Sequence, residues 1–239
     1  MTPPLFYVSA DQLADDPVVV SGDEGRHAAV VRRIRVGEVV MVGDGAGNVV
    51  HGSVTEVQRA KVSVGVQRRE TTPRHDPTFV VAQAMAKGGR DEDAVETMTE
   101  VGVDEVIGWE AARCVARWTD RSVTRWSTTA RAAAKQSRRS WVPVVTGPAS
   151  TSQLAQRLES ATLGIVLHEV ADRSLSSVTV PAHGDVVIAI GPEGGIADDE
   201  LETLASAGAI ACRLGSEVLR TSTAGVAALS VLSAATRWK

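Results

Sequence analysis

The chain has 239 residues, 44% of them apolar, 23% charged and only 3% aromatic, with a net charge of −4. This globular composition suits one large domain or two small ones with a real core, and it excludes a disordered chain or a disulfide-held scaffold. Cys114 and Cys212 form no CxxC pair, so they are expected as small buried hydrophobes in a reducing compartment.

The first seventy residues read in period two, through Gly37-Glu-Val-Val-Met-Val-Gly, Asn48-Val-Val-His-Gly-Ser-Val and Ala60-Lys-Val-Ser-Val-Gly-Val. Short strands parted by turns such as Asp44-Gly-Ala-Gly-Asn predict a small β-barrel or sandwich over 1–72. Pro73 and Pro77 mark a linker at about 70–77, and a second domain is expected over 73–239. There the pattern predicts a strand from Phe79, a helix over Glu92–Val101, a strand over Glu105–Trp109 and a helix over Ser122–Ser137. A strand at Val142–Val145, a helix over Ser152–Glu159, strands at Leu163–Leu167 and Asp185–Ile190, and helices from Asp198 and about Thr223 follow. Apolar strands spaced by helices describe a parallel α/β sheet. The opening residues show no secretory signal, and the longest uncharged apolar stretch, Thr221 to Thr236, falls short of a membrane span. A soluble, cytoplasmic protein with no membrane partner is expected.

The acidic total argues against binding free nucleic acid, but it hides an uneven distribution. Arg113 to Trp141 carries eight cations against one acid, Asp120. Arg113, Arg117, Arg121 and Arg125 recur every four residues and would share one face if helical. Trp118, Trp126 and Trp141 lie among them; stacking on bases is open to them, and packing against the sheet is expected.

Two loops carry the sharpest chemical signal. Ile190-Gly-Pro-Glu-Gly-Gly-Ile follows a buried strand and precedes a helix whose N-cap is expected at Asp198. Glycines at the carboxyl end of a parallel strand leave backbone groups bare for a flat ligand, although a simple tight turn also accounts for them. The stretch is neither GxGxxG nor a P-loop. Downstream, Leu214-Gly-Ser-Glu-Val-Leu-Arg-Thr-Ser-Thr-Ala-Gly runs into a helix of small residues, with Thr221, Ser222 and Thr223 as expected caps. The two loops are expected to share one pocket.

At this pair of motifs the chain resembles the SPOUT methyltransferases, and among them the RsmE family, which methylates N3 of a uridine in 16S ribosomal RNA. His27-Ala-Ala-Val-Val-Arg-Arg-Ile-Arg-Val-Gly, Glu100-Val-Gly-Val-Asp-Glu-Val and Gln136-Ser-Arg-Arg-Ser-Trp-Val-Pro are similar to further family segments in the same order. The resemblance implies a PUA-like β-barrel ahead of a trefoil-knotted α/β methyltransferase domain, S-adenosylmethionine as cofactor, and a homodimer. It maps the cofactor pocket to Leu167, His168, Ile190, Gly191, Pro192, Glu193, Gly194, Gly195, Leu214, Gly215, Val218, Leu219 and Arg220, mostly through backbone. The chain departs from the family pattern at Ser222, where a glutamate is usual, at Thr97, where a lysine is usual, and at Lys135, where an acid is common.

The N3 of uracil is protonated at neutral pH, so the enzyme must favour its anion by a base or a cation. Arg220 and Glu193 are the candidate catalytic residues, with Arg33 or a partner's arginine as another source of charge; fixing its own turn is an equal alternative for Glu193. His168 is expected as a polar strand-end residue. The five histidines show no ligand spacing, and no metal is expected. Arg26, Arg32, Arg33, Lys135, Arg138 and Arg139 are the candidate contacts to RNA phosphates. The expected partner is 16S ribosomal RNA in the assembled small subunit. The uncharged helix Thr223–Ala235 calls for cover by a second copy. Two other readings remain, a ribose 2'-O-methyltransferase of the same superfamily and a non-catalytic RNA-binding assembly factor.

Overall fold

The structure, a computed structural model, describes residues 2–238. The chain forms two compact units. The first takes in the chain up to Arg74 together with Ala134–Val142, and the second takes in His75–Ala133 and the chain from Pro143 onward. Residues 134–142, expected in the second domain, thus belong to the first unit.

The first unit contains β1 (Leu5–Tyr7), α1 (Ala10–Ala14), β2 (Val18–Val20), α2 (Gly22–Arg26), a π-helical turn over His27–Val31, β3 (Val39–Gly43), β4 (Asn48–Gln58) and β5 (Lys61–Thr71). The strands make one sheet in the order β1-β3-β4-β5-β2, with β1 parallel to β3 and the other pairs antiparallel. The sheet is open, with β1 and β2 as its edges; these three-residue strands are too short to show a period. Val18, Val20, Val40, Val42, Val50, Val62 and Val64 bury their side chains in one core, as alternation demands. The Asp44 turn closes as its sequence implies, because Asp44 Oδ1 accepts from the N–H groups of Ala46 (2.7 Å) and Asn48 (3.1 Å). Residues 134–142 join this unit for physical reasons. Ala134 packs with Leu5, Tyr7 and Val49, Trp141 Nε1 donates to Thr72 O at 2.8 Å, and Lys135 pairs with Glu24 at 2.7 Å.

The second unit contains β6 (Thr78–Ala84), α3 (Arg90–Glu100), β7 (Glu105–Trp109), α4 (Ser122–Gln136, its last residues in the first unit), β8 (Val144–Ala149) and α5 (Thr151–Glu159). It continues with β9 (Leu163–Leu167), β10 (Asp185–Ile190), α6 (Asp198–Ser206), β11 (Ile210–Cys212) and α7 (Thr221–Ala235). Its six strands are all parallel, in the order β11-β9-β10-β6-β7-β8. Both faces are covered. Phe79 and Val81 of β6 face a core shared with α3, α4 and α7, while Val80, Ala82 and Ala84 face one shared with α5 and α6. The close seat of α7 requires Gly225, where a Cβ would collide with Met98 Sδ and come within 3.0 Å of Ile190 Cδ1.

Four local expectations are corrected. Residues 110–121 are not helical, so Arg113, Arg117 and Arg121 share no helix face with Arg125. The strand expected at Val142 begins at Val144, because 142 belongs to the first unit. The N-cap of α6 is Ala197, whose N–H is satisfied by Glu200 (3.3 Å), and that of α7 is Arg220 with no side-chain cap. The short strand β11 is an addition to the reading. Among the described residues, no helix is long and apolar enough to cross a membrane.

Candidate active site

The parallel register brings the carboxyl ends of β9, β10 and β11 side by side, with Leu167 opposite both Ile190 and Cys212. In open α/β sheets this edge is where ligands bind. The loops leaving these strands surround a cleft of about 340 Å³, within the size range of small-molecule sites. Of the thirteen expected pocket residues, all line the cleft except Gly194. Gly194 instead lies against Arg113, where a Cβ would stand 3.1 Å from the Arg113 Cβ and 3.2 Å from its carbonyl oxygen, a tight fit that favours glycine.

The loops are held by a few specific bonds. Gly195, at φ +75°, donates its N–H to Pro192 O at 2.9 Å and closes the Gly-Pro-Glu-Gly-Gly turn. Thr221 Oγ1, expected as a helix cap, instead donates to Gly191 O at 3.2 Å and so joins the start of α7 to the end of β10. Gln83 Nε2, at the end of β6, donates to Thr221 O at 3.4 Å. From the 110–121 loop, Arg113 donates to Ile196 O at 3.3 Å and Ala112 N–H to Glu200 Oε1 at 2.9 Å.

The floor is apolar, built from Leu167, Ile190, Leu214 and Ala224, and burial pushes the Cys212 thiol beside it up, which favours the neutral thiol. Val218 and Leu219 on the rim leave 75% and 38% of their surfaces exposed, an apolar edge with nothing over it in the single chain. The charges divide into carboxylates, Glu169, Glu193 and Glu217, and arginines, Arg90, Arg213 and Arg220. The Arg213 guanidinium is committed to Ala171 O (2.6 Å) and Asp172 O (2.7 Å). Glu193 does not fix its own turn; its Oε1 accepts from Lys87 N–H at 3.3 Å in the β6–α3 connection. His168, at the end of β9, lines the cleft and donates its backbone N–H to Cys212 O at 2.9 Å.

Sequence reasoning missed Arg90, Glu169 and Glu217 as lining residues. A signal for Arg90 existed, since Gly88-Gly89 follows a parallel strand just as the glycines after Ile190 do.

The six candidate RNA contacts, Arg26, Arg32, Arg33, Lys135, Arg138 and Arg139, all belong to the first unit. Arg26, Arg32, Arg33 and Arg138 are exposed; Lys135 is half-buried and paired with Glu24. Arg33 (φ 53°) and Arg138 (φ 58°) are the only non-glycine residues among those described with left-handed backbone. Other cations of the basic stretch are structural. Arg125 pairs with Asp91 (3.0 Å) and Glu92 (2.8 Å). The tryptophans pack: Trp126 is fully buried edge-to-face with Trp118 at 5.1 Å, and its Nε1 donates to Asp91 at 2.8 Å.

Comparison with known proteins agrees with this arrangement. The profile of an RNA methyltransferase domain matches residues 74–233, and that of an RNA methyltransferase PUA domain matches residues 20–67. The chain is 44% identical over 243 residues to the ribosomal RNA small subunit methyltransferase E of Mycobacterium bovis, covering 98% of this chain and 93% of the relative. It is 30% identical to the protein of that name from Bacillus subtilis, covering 96% and 94%. A Legionella pneumophila structure solved in complex with the bound cofactor S-adenosylmethionine superposes with a TM-score of 0.85 at 27% identity, covering 98% of each chain. By its matched domains and by its full-length relatives, the chain belongs to the family of the ribosomal RNA small subunit methyltransferases E.

Proposed function

We propose that this protein uses S-adenosylmethionine to methylate N3 of a specific uridine in 16S ribosomal RNA, acting on the assembled small subunit in the cytoplasm. The observation that carries the reading is the cleft at the ends of β9, β10 and β11, lined by twelve of the thirteen residues that the family resemblance assigns to the cofactor. The cleft's chemistry suits that molecule. An apolar floor and bare strand-end backbone fit an adenine ring, and the carboxylates of Glu169, Glu193 and Glu217 fit a ligand that carries an ammonium and a sulfonium.

When bound, S-adenosylmethionine supplies an already activated methyl group, so the protein's task is to orient the uracil and favour loss of its N3 proton. Backbone groups of Gly191, Pro192, Gly195, Leu214 and Gly215 hold and orient; Leu219 and Val218 give the rim an apolar edge. Arg220 lends positive charge, and Glu193, fixed by Lys87, stands at the cleft as a carboxylate that can take a proton. Arg26, Arg32, Arg33, Arg138 and Arg139 hold RNA phosphates, and Lys135 does so in exchange for its pairing with Glu24. The left-handed backbone at Arg33 and Arg138 supports this role, because such strain persists where function needs that side chain.

The carboxyl-terminal segment is read as a trefoil knot and the working form as a homodimer. The insertion of β10 between β9 and β6 supports the first; the uncovered Val218 and Leu219 and the half-buried Val226, Ala227 and Val231 of α7 support the second. Methyl transfer from labelled S-adenosylmethionine to unmodified small subunits, followed by digestion, tests the reading. N3-methyluridine is expected; a 2'-O-methyl nucleoside would replace the substrate atom, and no incorporation with no cofactor binding would remove the enzyme.

A further inference from the structure

Three arginines line the cleft, and they are not equivalent. Arg213 is consumed by two backbone carbonyls. Arg220 sits within the loop that joins β11 to α7 and caps α7 with its own carbonyl, which accepts from the Thr223 (2.8 Å) and Ala224 (2.9 Å) N–H groups. Arg90 comes from elsewhere, the first residue of α3, outside all the loops that the family motifs assign to the cofactor. Among the described residues its guanidinium has no hydrogen bond or ion pair, and the residue is exposed.

The backbone around Arg90 is nevertheless fixed from both sides. Before it, Gly88 (φ +67°) and Gly89 (φ +80°) make two successive left-handed steps that side chains adopt poorly, and Gly89 O accepts from Glu92 (3.0 Å) and Asp93 (3.1 Å) N–H groups. One residue earlier, Lys87 N–H is tied to Glu193. After it, Asp91 is 2% exposed and accepts from Trp126 Nε1 at 2.8 Å and from Arg125 at 3.0 Å. Arg125 also pairs with Glu92, so the two acids that follow Arg90 are neutralised by another cation. The result is a guanidinium without a partner among the described residues, at a helix start anchored through Asp91 and Lys87, beside the loop that holds Glu193.

We infer that Arg90 is the substrate-side cation of this cleft, donating to the uracil oxygen on which negative charge gathers when N3 loses its proton. The inference rests on the uridine-N3 reading above. In that step the N3–H bond breaks, the proton passes to the Glu193 carboxylate and from it to solvent water, and the electron pair spreads over N3 and the flanking oxygens. The N3 pair then forms the new N–CH3 bond as the donor's S–CH3 bond breaks, which releases a neutral thioether. A guanidinium held beside the oxygen lowers the cost of the anion, and more so where water is excluded.

Single-turnover methylation of unmodified small subunits, measured from pH 6 to 9.5 with wild type, R90K and R90Q, tests the role. At neutral pH R90Q is expected to lose about 100-fold in rate. Its rate should go on climbing with pH beyond the point at which wild type levels off, since hydroxide then does what the cation did. R90K should recover part of the loss, and calorimetry should find cofactor affinity within about twofold of wild type in both variants. An R90Q rate equal to wild type overturns the role. So does an unshifted pH profile with cofactor binding weakened tenfold, which would make Arg90 a partner of the cofactor's carboxylate. Digestion of the wild-type product separates the two levels. A product other than N3-methyluridine removes the reading and the role with it, whereas N3-methyluridine with an unshifted R90Q profile removes the role alone.

Discussion

The first unit carries four of its candidate RNA arginines, Arg32, Arg33, Arg138 and Arg139, on irregular backbone, whereas the second unit builds its cleft from the ends of regular strands. Arg32 and Arg33 follow a π-helical turn, and Arg33 and Arg138 adopt left-handed backbone that a glycine would adopt more easily. In the second unit the left-handed positions near the cleft, Gly88, Gly89 and Gly195, are glycines. The difference separates two uses of the chain. Where a side chain's charge is wanted, an awkward backbone is tolerated; where bare backbone groups are wanted, the side chain is dispensed with.

The regular frame of the second unit is the place where a substitution should do most damage. Trp126→Ala removes a fully buried ring and leaves Asp91 without its Nε1 donor, so a loss of about 4 kcal/mol is expected in chemical denaturation. Because Asp91 anchors the start of α3, methylation should fall as well. A loss below about 1 kcal/mol would show that the cleft's mount does not depend on this packing.

A second frame contact carries a pH signature. Burial alone would raise the Asp104 carboxyl, yet the His75 ring, the Arg237 guanidinium and the Phe79 N–H together hold it below the ordinary carboxylate value. A depressed carboxyl stabilises the fold above its unfolded pKa of about 4, and that contribution is lost as pH falls through the folded value. Asp104→Asn is therefore expected to cost about 3 kcal/mol at pH 7, by leaving the largely buried Arg237 without its counter-charge. The gap between variant and wild type should narrow in denaturation curves taken below about pH 4. A gap that stays constant down to pH 2 would remove the electrostatic account.

The same contrast governs what could be read from the sequence. The parallel α/β architecture was legible, short of β11, because strands covered on both faces read as continuous apolar runs, as Phe79–Ala84 and Asp185–Ile190 do. The cleft was legible through glycine, which marks close backbone approach without needing the fold. Neither cue applies to residues 110–121, where arginines at every fourth position imitate a helix face while the chain winds as loop to reach Glu200 and Ile196. Nor does local pattern reveal that residues 134–142 leave the second unit, since their partners Leu5, Tyr7, Thr72 and Glu24 lie far away in sequence. Thr221 illustrates the same limit: a hydroxyl at a helix start reads as a cap, but its acceptor, Gly191 O, is supplied by another strand.

That bond is a smaller test of the cleft. Thr221→Val keeps the shape and removes the hydroxyl, leaving Gly191 O without this donor. A cost of about 1 kcal/mol is expected, together with weaker cofactor binding measured by calorimetry. Unchanged affinity would mean that the strand-end loops hold their form without the tie to α7.

The smallest expected effect has the opposite sign. Arg33→Gly relieves a left-handed conformation that costs a side-chain-bearing residue roughly 1–2 kcal/mol, while the extra freedom of glycine in the unfolded chain returns roughly 0.5–1 kcal/mol of that gain. The variant should therefore be more stable than wild type by about 0.5 kcal/mol, although it loses a charged side chain. RNA binding should move the other way. If Arg33 neutralises one phosphate, the slope of log affinity against log salt should become shallower by about 0.7 to 0.9. Stability and affinity changing in opposite directions is the signature of a residue kept in a strained place for its charge. A variant that is both less stable and unaltered in its salt dependence would mean that the arginine serves the fold, and the contrast between the two units would then rest on Arg138 alone.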